Sequence, residues 1–251
     1  MLRIIGGTHK RRKIYTPRDA ETTRPMPDRV RLSLFNLLRG HSEGVEVFDA
    51  FAGSGALGFE ALSRGATYAV FIERDRKVAG LIEDTADDLD MLDRCEIGIS
   101  DALGGGALAR CPEGVHLIFF DPPYPLVLDP AQWPRARDQF ARLVGKLDDT
   151  GYAVLRTPWP FYHEEGGPEP DAPAPRRGFR EREASQAAAA GKAPETDPAL
   201  EDKAPPPPRV RVDVDLKIAG ALGPETHVYG TMAIHLYMRD PNAAGEPDAT
   251  G

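Results

Sequence analysis

The chain has 251 residues, 41% of them hydrophobic and 28% charged, which suffices to bury the core of one large or two small globular domains. No apolar run approaches the roughly 18 to 20 residues of a membrane span, and the opening MLRIIGGTHKRRK lacks the apolar stretch and cleavage site of a signal peptide, so a cytoplasmic protein without a membrane partner is expected. The net charge of −8 would argue against nucleic acid if it were even, but residues 1–39 hold ten Lys/Arg against Asp19, Glu21 and Asp28, a surplus of +7 that leaves −15 for the rest.

Such a cationic arm, with Lys10, Arg11, Arg12 and Lys13 at its densest point, points to a polyanionic partner, because Lys and Arg bind phosphates and release counterions. The alternative is a solvated face that only aids solubility. LRII and RRKIYT flank the turn-like Gly6-Gly7 and predict a short hairpin. Asp28 to Leu38 then sets Val30, Leu34, Leu37 and Leu38 at helical spacing behind Pro25 and Pro27. From Val45 strands and helices alternate: VEVFDA, a helix through Ala61 ending at Gly65, YAVFIE, a helix from Asp75 to about Leu89, and CEIGIS. A Gly-rich connection, VHLIFFD, a helix within Gln132 to Leu147 and GYAVLRT complete the series. Short apolar strands between helices imply a parallel sheet covered on both faces. Cys95 and Cys111 have no metal-ligand spacing, and no metal is expected.

The stretch 163–208, rich in Pro, Ala, Glu and Arg, cannot bury enough apolar area to offset its ordering entropy and is expected to be a disordered insertion. Structure is expected to resume with VRVDVDLKIAG and HVYGTMAIHLYM, two strands turning around Gly223-Pro224 and closing the sheet edge as an antiparallel pair. The residues beyond 240 read as a flexible tail. The domains expected are thus a basic arm (1–39), a catalytic domain (40–240) carrying the insertion, and the tail (241–251).

Two motifs carry chemistry. FDAFAGSGALGFEAL holds Gly53-x-Gly55-x-x-Gly58 between a strand and a helix, with Glu73 closing the next strand. This also fits a dinucleotide fingerprint, in which glycines admit a ligand to the backbone and a later acid binds a ribose. Asp49, four residues before Gly53, separates the two readings. A carboxylate there is unfavourable beside two phosphates and favourable beside the ammonium and sulfonium of S-adenosylmethionine. A helix cap or loop charge is the plainer reading of each acid alone.

In IFFDPPYPL the fourth strand ends on Asp121-Pro122-Pro123-Tyr124, facing the same cleft, since ligands of open α/β sheets bind beyond the carboxyl ends of the strands. An exocyclic base amine is a poor nucleophile until its lone pair is freed from the ring. A carboxylate and a carbonyl accepting its two N–H groups favour that geometry, and the acid stabilises the charge developing on nitrogen. Pro122 and Pro123 fix the backbone and offer carbonyls without donors. Tyr124 offers a face for an unstacked base. A rigid turn with a capping Asp is the alternative, and Tyr152, Trp159 and Tyr162 fit either the cleft or the core.

RIIGGTHKRRKI, TRPMPDRVRLSLFNLL, FDAFAGSGALGFEALSRGA, VFIERD, IFFDPPY and the closing VYGTMAIHLY together resemble the bacterial methyltransferases that modify guanine N2 in 16S ribosomal RNA. The resemblance implies a Rossmann-like α/β fold of seven strands, the last antiparallel, with an RNA-binding N-terminal extension, acting as a monomer on the small-subunit particle. It implies S-adenosylmethionine as donor and S-adenosylhomocysteine as product. Asp49, Phe51, Gly53, Ser54 and Gly55 would line the amino-acid portion of that cofactor, Glu73 and Arg74 the ribose, and Asp101 with Ala102 the adenine. Asp121 to Tyr124 would be catalytic, and Lys10 to Lys13 would hold phosphates. Arg24 and Arg29, with Asn36, would border the cleft from the extension. Adenine N6 is the alternative target, and a non-catalytic RNA-binding assembly factor the alternative function.

Overall fold

A computed structural model describes residues 2–17, 26–165 and 210–243. Arg24, most of the 163–208 insertion and the tail from residue 244 onward lie outside the described residues. Contacts divide the chain into two compact units, Met1–Phe161 with Val214–Gly251, and Tyr162–Asp213.

In the first unit the strands are β1 (Glu46–Asp49), β2 (Tyr68–Glu73), β3 (Cys95–Ile99), β4 (Val115–Phe120), β5 (Leu147–Pro158), β8 (Ala221–Tyr229) and β9 (Met232–Arg239). They form one seven-stranded sheet in the order β3-β2-β1-β4-β5-β9-β8. β1 to β5 are parallel, whereas β9 inserts antiparallel between β5 and β8. The expected seven-stranded architecture with an antiparallel last strand is therefore the one observed. The strand order reverses at β1, between β2 and β4, which opens a crevice at the carboxyl ends of those strands.

The helices are α1 (Asp28–Leu37), α2 (Ala56–Ser63), α3 (Arg76–Asp88), α4 (Gly105–Arg110), α5 (Tyr124–Leu128) and α6 (Trp133–Val144). One sheet face packs Val47, Phe71, Leu117, Phe119 and Val154 against α1, α2, α3 and the N-terminal hairpin, through Ile4, Ile14, Leu34, Phe59 and Ile82. The other packs Phe48, Ile72, Ile118, Phe120 and Leu155 against α4 and α6, through Ala107, Ala136 and Phe140. Consecutive strand residues go to opposite cores, as a pleat of period two requires when both faces are covered. α3 starts where Asp75 accepts the N–H groups of Lys77 and Val78, a side-chain N-cap.

Several stretches differ from expectation. The predicted Gly-rich connection contains α4, and the residues after Asp121 form the short α5, which Pro123 enters with its carbonyl accepting Leu126 N–H at 2.9 Å. The predicted reversal at Gly223-Pro224 lies instead inside β8 as a register shift between Leu222 and Glu225. Proline lacks the N–H a ladder needs and is accommodated at an edge strand. The chain turns at Gly230, with φ +65°, between the paired Tyr229 and Met232. Val210–Asp213, expected to begin the closing pair, is β7 of the second unit. It pairs antiparallel with β6 (Tyr162–Glu165), so His163–Glu165 lie in a strand where disorder was expected.

The N-terminal hairpin is tied to α2 by buried polar bonds. Glu60, fully buried, accepts the N–H groups of Ile5 (2.7 Å) and Gly6 (2.8 Å) and pairs with Arg64 at 2.7 Å. Ser63 Oγ donates to Gly6 O and accepts from His9 N–H. The backbones approach so closely that a Cβ on Gly7, with φ +74°, would lie 1.8 Å from Ser63 O. Gly6-Gly7 is thus a docking surface as well as a turn.

Candidate active site

Alternation along the strands decides which side chains meet. Val47, Phe71, Phe119 and Val154 face the core under α2, so Asp49, Glu73, Asp121 and Arg156, each two residues further on, face the same side at the carboxyl ends of their strands. The register completes the placement: Asp49 pairs with both Phe71 and Phe119, and Phe120 with Leu155, which sets Arg156 beside Asp121.

Asp49 is 1% exposed. One carboxylate oxygen accepts Gly58 N–H at 3.2 Å, while Oδ1 is buried without a hydrogen-bond partner among the described residues. Burial pushes its pKa up to about 8, opposed by the Gly58 hydrogen bond and reinforced by the charges of Asp121 and Glu73. Glu73 accepts Gly53 N–H at 3.0 Å and Asp75 N–H at 2.8 Å, and so clasps the glycine loop.

The three glycines do different work. Gly55 and Gly58 admit aromatic rings: a Cβ would lie 2.7 Å from Phe59 at Gly55 and 2.3 Å from Phe71 at Gly58. Gly53, with φ +53°, would meet nothing within 4 Å, so its left-handed turn faces open space. A buried carboxylate oxygen in need of a donor beside that space suits a cationic ligand. The amino-acid ammonium and the sulfonium of S-adenosylmethionine fit this donor set.

Asp121 is half-buried, and desolvation pushes its carboxyl upward in pKa, with the Arg156 guanidinium opposing. Arg156 Nε lies against Asp121 Oδ1 as an ion pair. The same guanidinium covers one face of Tyr124, 5.2 Å from the ring centroid. Tyr124 Oη is buried and without a partner among the described residues. Phe51 packs edge-on to Phe120 at 4.9 Å and flanks this strand end. Ser54 is half-buried in the loop and Arg74 is exposed.

At the end of β3, Asp101 accepts Leu103 N–H at 3.0 Å and pairs with Arg135 at 2.8 Å, and Ala102 is buried. The Asp101 carboxylate thus acts as a loop cap and ion-pair partner. Of the pointers toward RNA, Lys10, Arg11, Lys13 and Arg29 are exposed, as is Asn36. Arg12 pairs with Asp88 on α3, and Lys13 lies over the Tyr15 ring. Arg3, Arg11 and Arg29 rim a cavity of about 290 Å³ floored by Ile4, Ile5 and Leu32. Tyr152 packs against His41, and Trp159 lies 6.5 Å from His235.

Arg156, Glu60 and Arg135 were not anticipated. Arg156 had a signal, a lone cation closing the apolar strand GYAVLRT, but its meaning depends on the β4–β5 register. Glu60 had none, because a Glu on a helix ordinarily reads as surface.

The family described as Conserved hypothetical protein 95 matches residues 2–132. Ribosomal RNA small subunit methyltransferase D of Escherichia coli is 39% identical over 123 residues, covering 49% of this chain and 60% of that one. The Haemophilus influenzae protein of the same name is 35% identical over 128 residues, 49% of this chain and 64% of that one. YlbH of Bacillus subtilis, described as a candidate rRNA methyltransferase, is 36% identical over 124 residues and is matched over 67% of its length. The matched part thus spans about two thirds or less of these relatives. Among solved structures, the Escherichia coli protein yhhF, described as a candidate methyltransferase, superposes with a TM-score of 0.58 at 25% identity, over 95% of this chain and 98% of that one. The Thermus thermophilus protein TTHA0928 has the same fold, with a TM-score of 0.54 at 22% identity over 94% and 98%. By the family match over residues 2–132, which take in β1 to β4, the glycine loop and the Asp-Pro-Pro-Tyr strand end, this chain belongs to the Conserved hypothetical protein 95 family.

Proposed function

We propose that this protein is an RNA methyltransferase that uses S-adenosylmethionine to methylate the exocyclic N2 amine of a guanine in small-subunit ribosomal RNA. The observation that carries the reading is the convergence of two acids, Asp49 and Asp121, on one sheet face at the strand-order switch, Asp49 with a buried carboxylate oxygen lacking a hydrogen-bond partner among the described residues and Asp121 ion-paired to Arg156. One suits a cation and the other an amine. The names of the relatives, which are ribosomal RNA methyltransferases, support the substrate class.

The cofactor supplies an electrophilic methyl group on a sulfonium. Asp49 and the Gly53 turn, with Phe51, Ser54 and Gly55, would hold its amino-acid portion, and Glu73 its ribose. Arg74 is the outermost of these candidates. Ala102 and the Asp101 backbone would border the adenine, the Asp101 carboxylate being engaged by Arg135. On the acceptor side, Asp121 receives one N–H of the guanine amine and the Pro122 carbonyl the other. Pro123 directs its own carbonyl to Leu126. Tyr124 offers the base the ring face that Arg156 leaves open. Residues 1–39 form the RNA-binding part, through Lys10, Arg11, Lys13 and Arg29.

Transfer of labelled methyl to naked 16S RNA, assembled small subunits and DNA, followed by nucleoside mass analysis, tests this. N2-methylguanine in the RNA is expected. N6-methyladenine would overturn the base assignment, and no transfer to any acceptor would overturn the activity.

A further inference from the structure

We propose that Arg156 is a positioning residue for the acceptor base, orienting the Asp121 carboxylate and the Tyr124 ring for the incoming amine. The inference rests on the proposed role of Asp121. It starts from the placement of Arg156, which is 7% exposed at the end of β5, a position where burial of a cation is unfavourable unless a partner compensates. The partner is Asp121, and the second contact is the face of Tyr124. One guanidinium therefore touches both side chains assigned to the base. The pair engages Nε and Oδ1, so the amine would be met by the other oxygen of the Asp121 carboxylate.

The charge balance around Asp121 explains why a cation is needed. Asp49 on β1 is a second acid near it, protonated near pH 7 by its pKa of about 8, Glu73 on β2 acts on Asp49, and Tyr124 on α5 is neutral. On β9 the nearest titratable group is His235, opposite Leu155, whose imidazole burial holds at about 4 and hence neutral near pH 7. Among the described residues the cation set against these acids is Arg156. Without it, burial would favour the protonated Asp121. A protonated carboxyl loses one acceptor site and cannot stabilise positive charge developing on the amine.

The test compares wild type, Arg156→Lys and Arg156→Met in methyl transfer from pH 6 to 10, separating kcat from the KM for RNA, with calorimetric cofactor affinity and melting temperature measured in parallel. In Arg156→Met the acidic limb of kcat should move up by more than about one pH unit. Turnover at pH 7 should then fall about tenfold or more and recover above pH 9, with cofactor affinity within about twofold of wild type. Arg156→Lys, which keeps the charge, should move the limb less, in the same direction. An equal loss at every pH, or an unmoved limb, overturns the proposal. Should the Met variant not fold, the Lys variant decides by the same criterion. Loss of turnover in Asp121→Asn together with an unmoved limb in the Arg156 variants removes only the role of Arg156. Wild-type turnover in Asp121→Asn removes the acceptor assignment itself.

Discussion

Asp121 and Asp49 share a strand-end environment and differ in what they would bind. Replacing Asp121 by Ala removes an acceptor that acts mainly as charge develops in the transition state, so kcat should fall roughly 10²–10³-fold with cofactor affinity little changed. Calorimetry beside single-turnover assays checks the split. Asp49 predicts a pH effect on binding. Its folded pKa of about 8 lies above the ordinary carboxylate value, and a cationic ligand favours the ionised form. Cofactor binding should therefore release a proton below pH 8, and affinity should rise with pH up to that point by at most about tenfold per unit. Heats measured in two buffers of different ionisation enthalpy report the proton, and Asp49→Asn should bind weakly with no pH dependence. The same shift acts on stability: the folded state holds the extra proton from about pH 4 to 8, so this contribution is complete at low pH and is lost as pH rises through 8. The raised Asp121 adds in the same direction.

At the scale of elements, the hairpin, α1 and α2 are joined by an internal network that composition does not reveal. Glu60 accepts two backbone N–H groups from the hairpin and pairs with Arg64, and Arg31, 1% exposed, lies 4.0 Å from it. Glu60→Ala strips two hairpin N–H groups and Arg64 of their acceptor and leaves the buried Arg31 with Asp28 as its counter-charge, and should lower stability by about 3–5 kcal/mol, measured by urea unfolding. Gly7→Ala acts through sterics alone, since its Cβ would strike Ser63 O. It should release the hairpin and speed tryptic cleavage at Lys10 to Lys13 while leaving the sheet's circular dichroism intact. The helices and strands were legible from period and caps because those signals are local. The reversal at Gly230 was not, because Gly223-Pro224 presents the stronger local turn signal. Only the pairing of β8 with β9 decides which glycine turns the chain.

For the molecule as a whole, an acidic protein carries a cationic arm docked on the helix layer that begins at the glycine loop. If Lys10, Arg11, Lys13 and Arg29 each neutralise one phosphate, the log of RNA affinity should fall against log salt with a slope of roughly −3. Changing Lys10 and Arg11 to Glu should flatten that slope and raise the KM for RNA, leaving cofactor affinity unchanged. Filter binding at several salt concentrations measures both. The sequence by itself determined the order of strands and helices, the glycine loop, the strand-end acids and the charge asymmetry, because each is written in neighbouring residues or in composition. The tertiary structure alone decided that Arg156 meets Asp121 and Tyr124, that Glu60 anchors the hairpin, and that Gly6-Gly7 docks on α2. Those contacts join residues 32 to 57 positions apart, and their partners are fixed by strand register and close backbone packing, which no local pattern encodes.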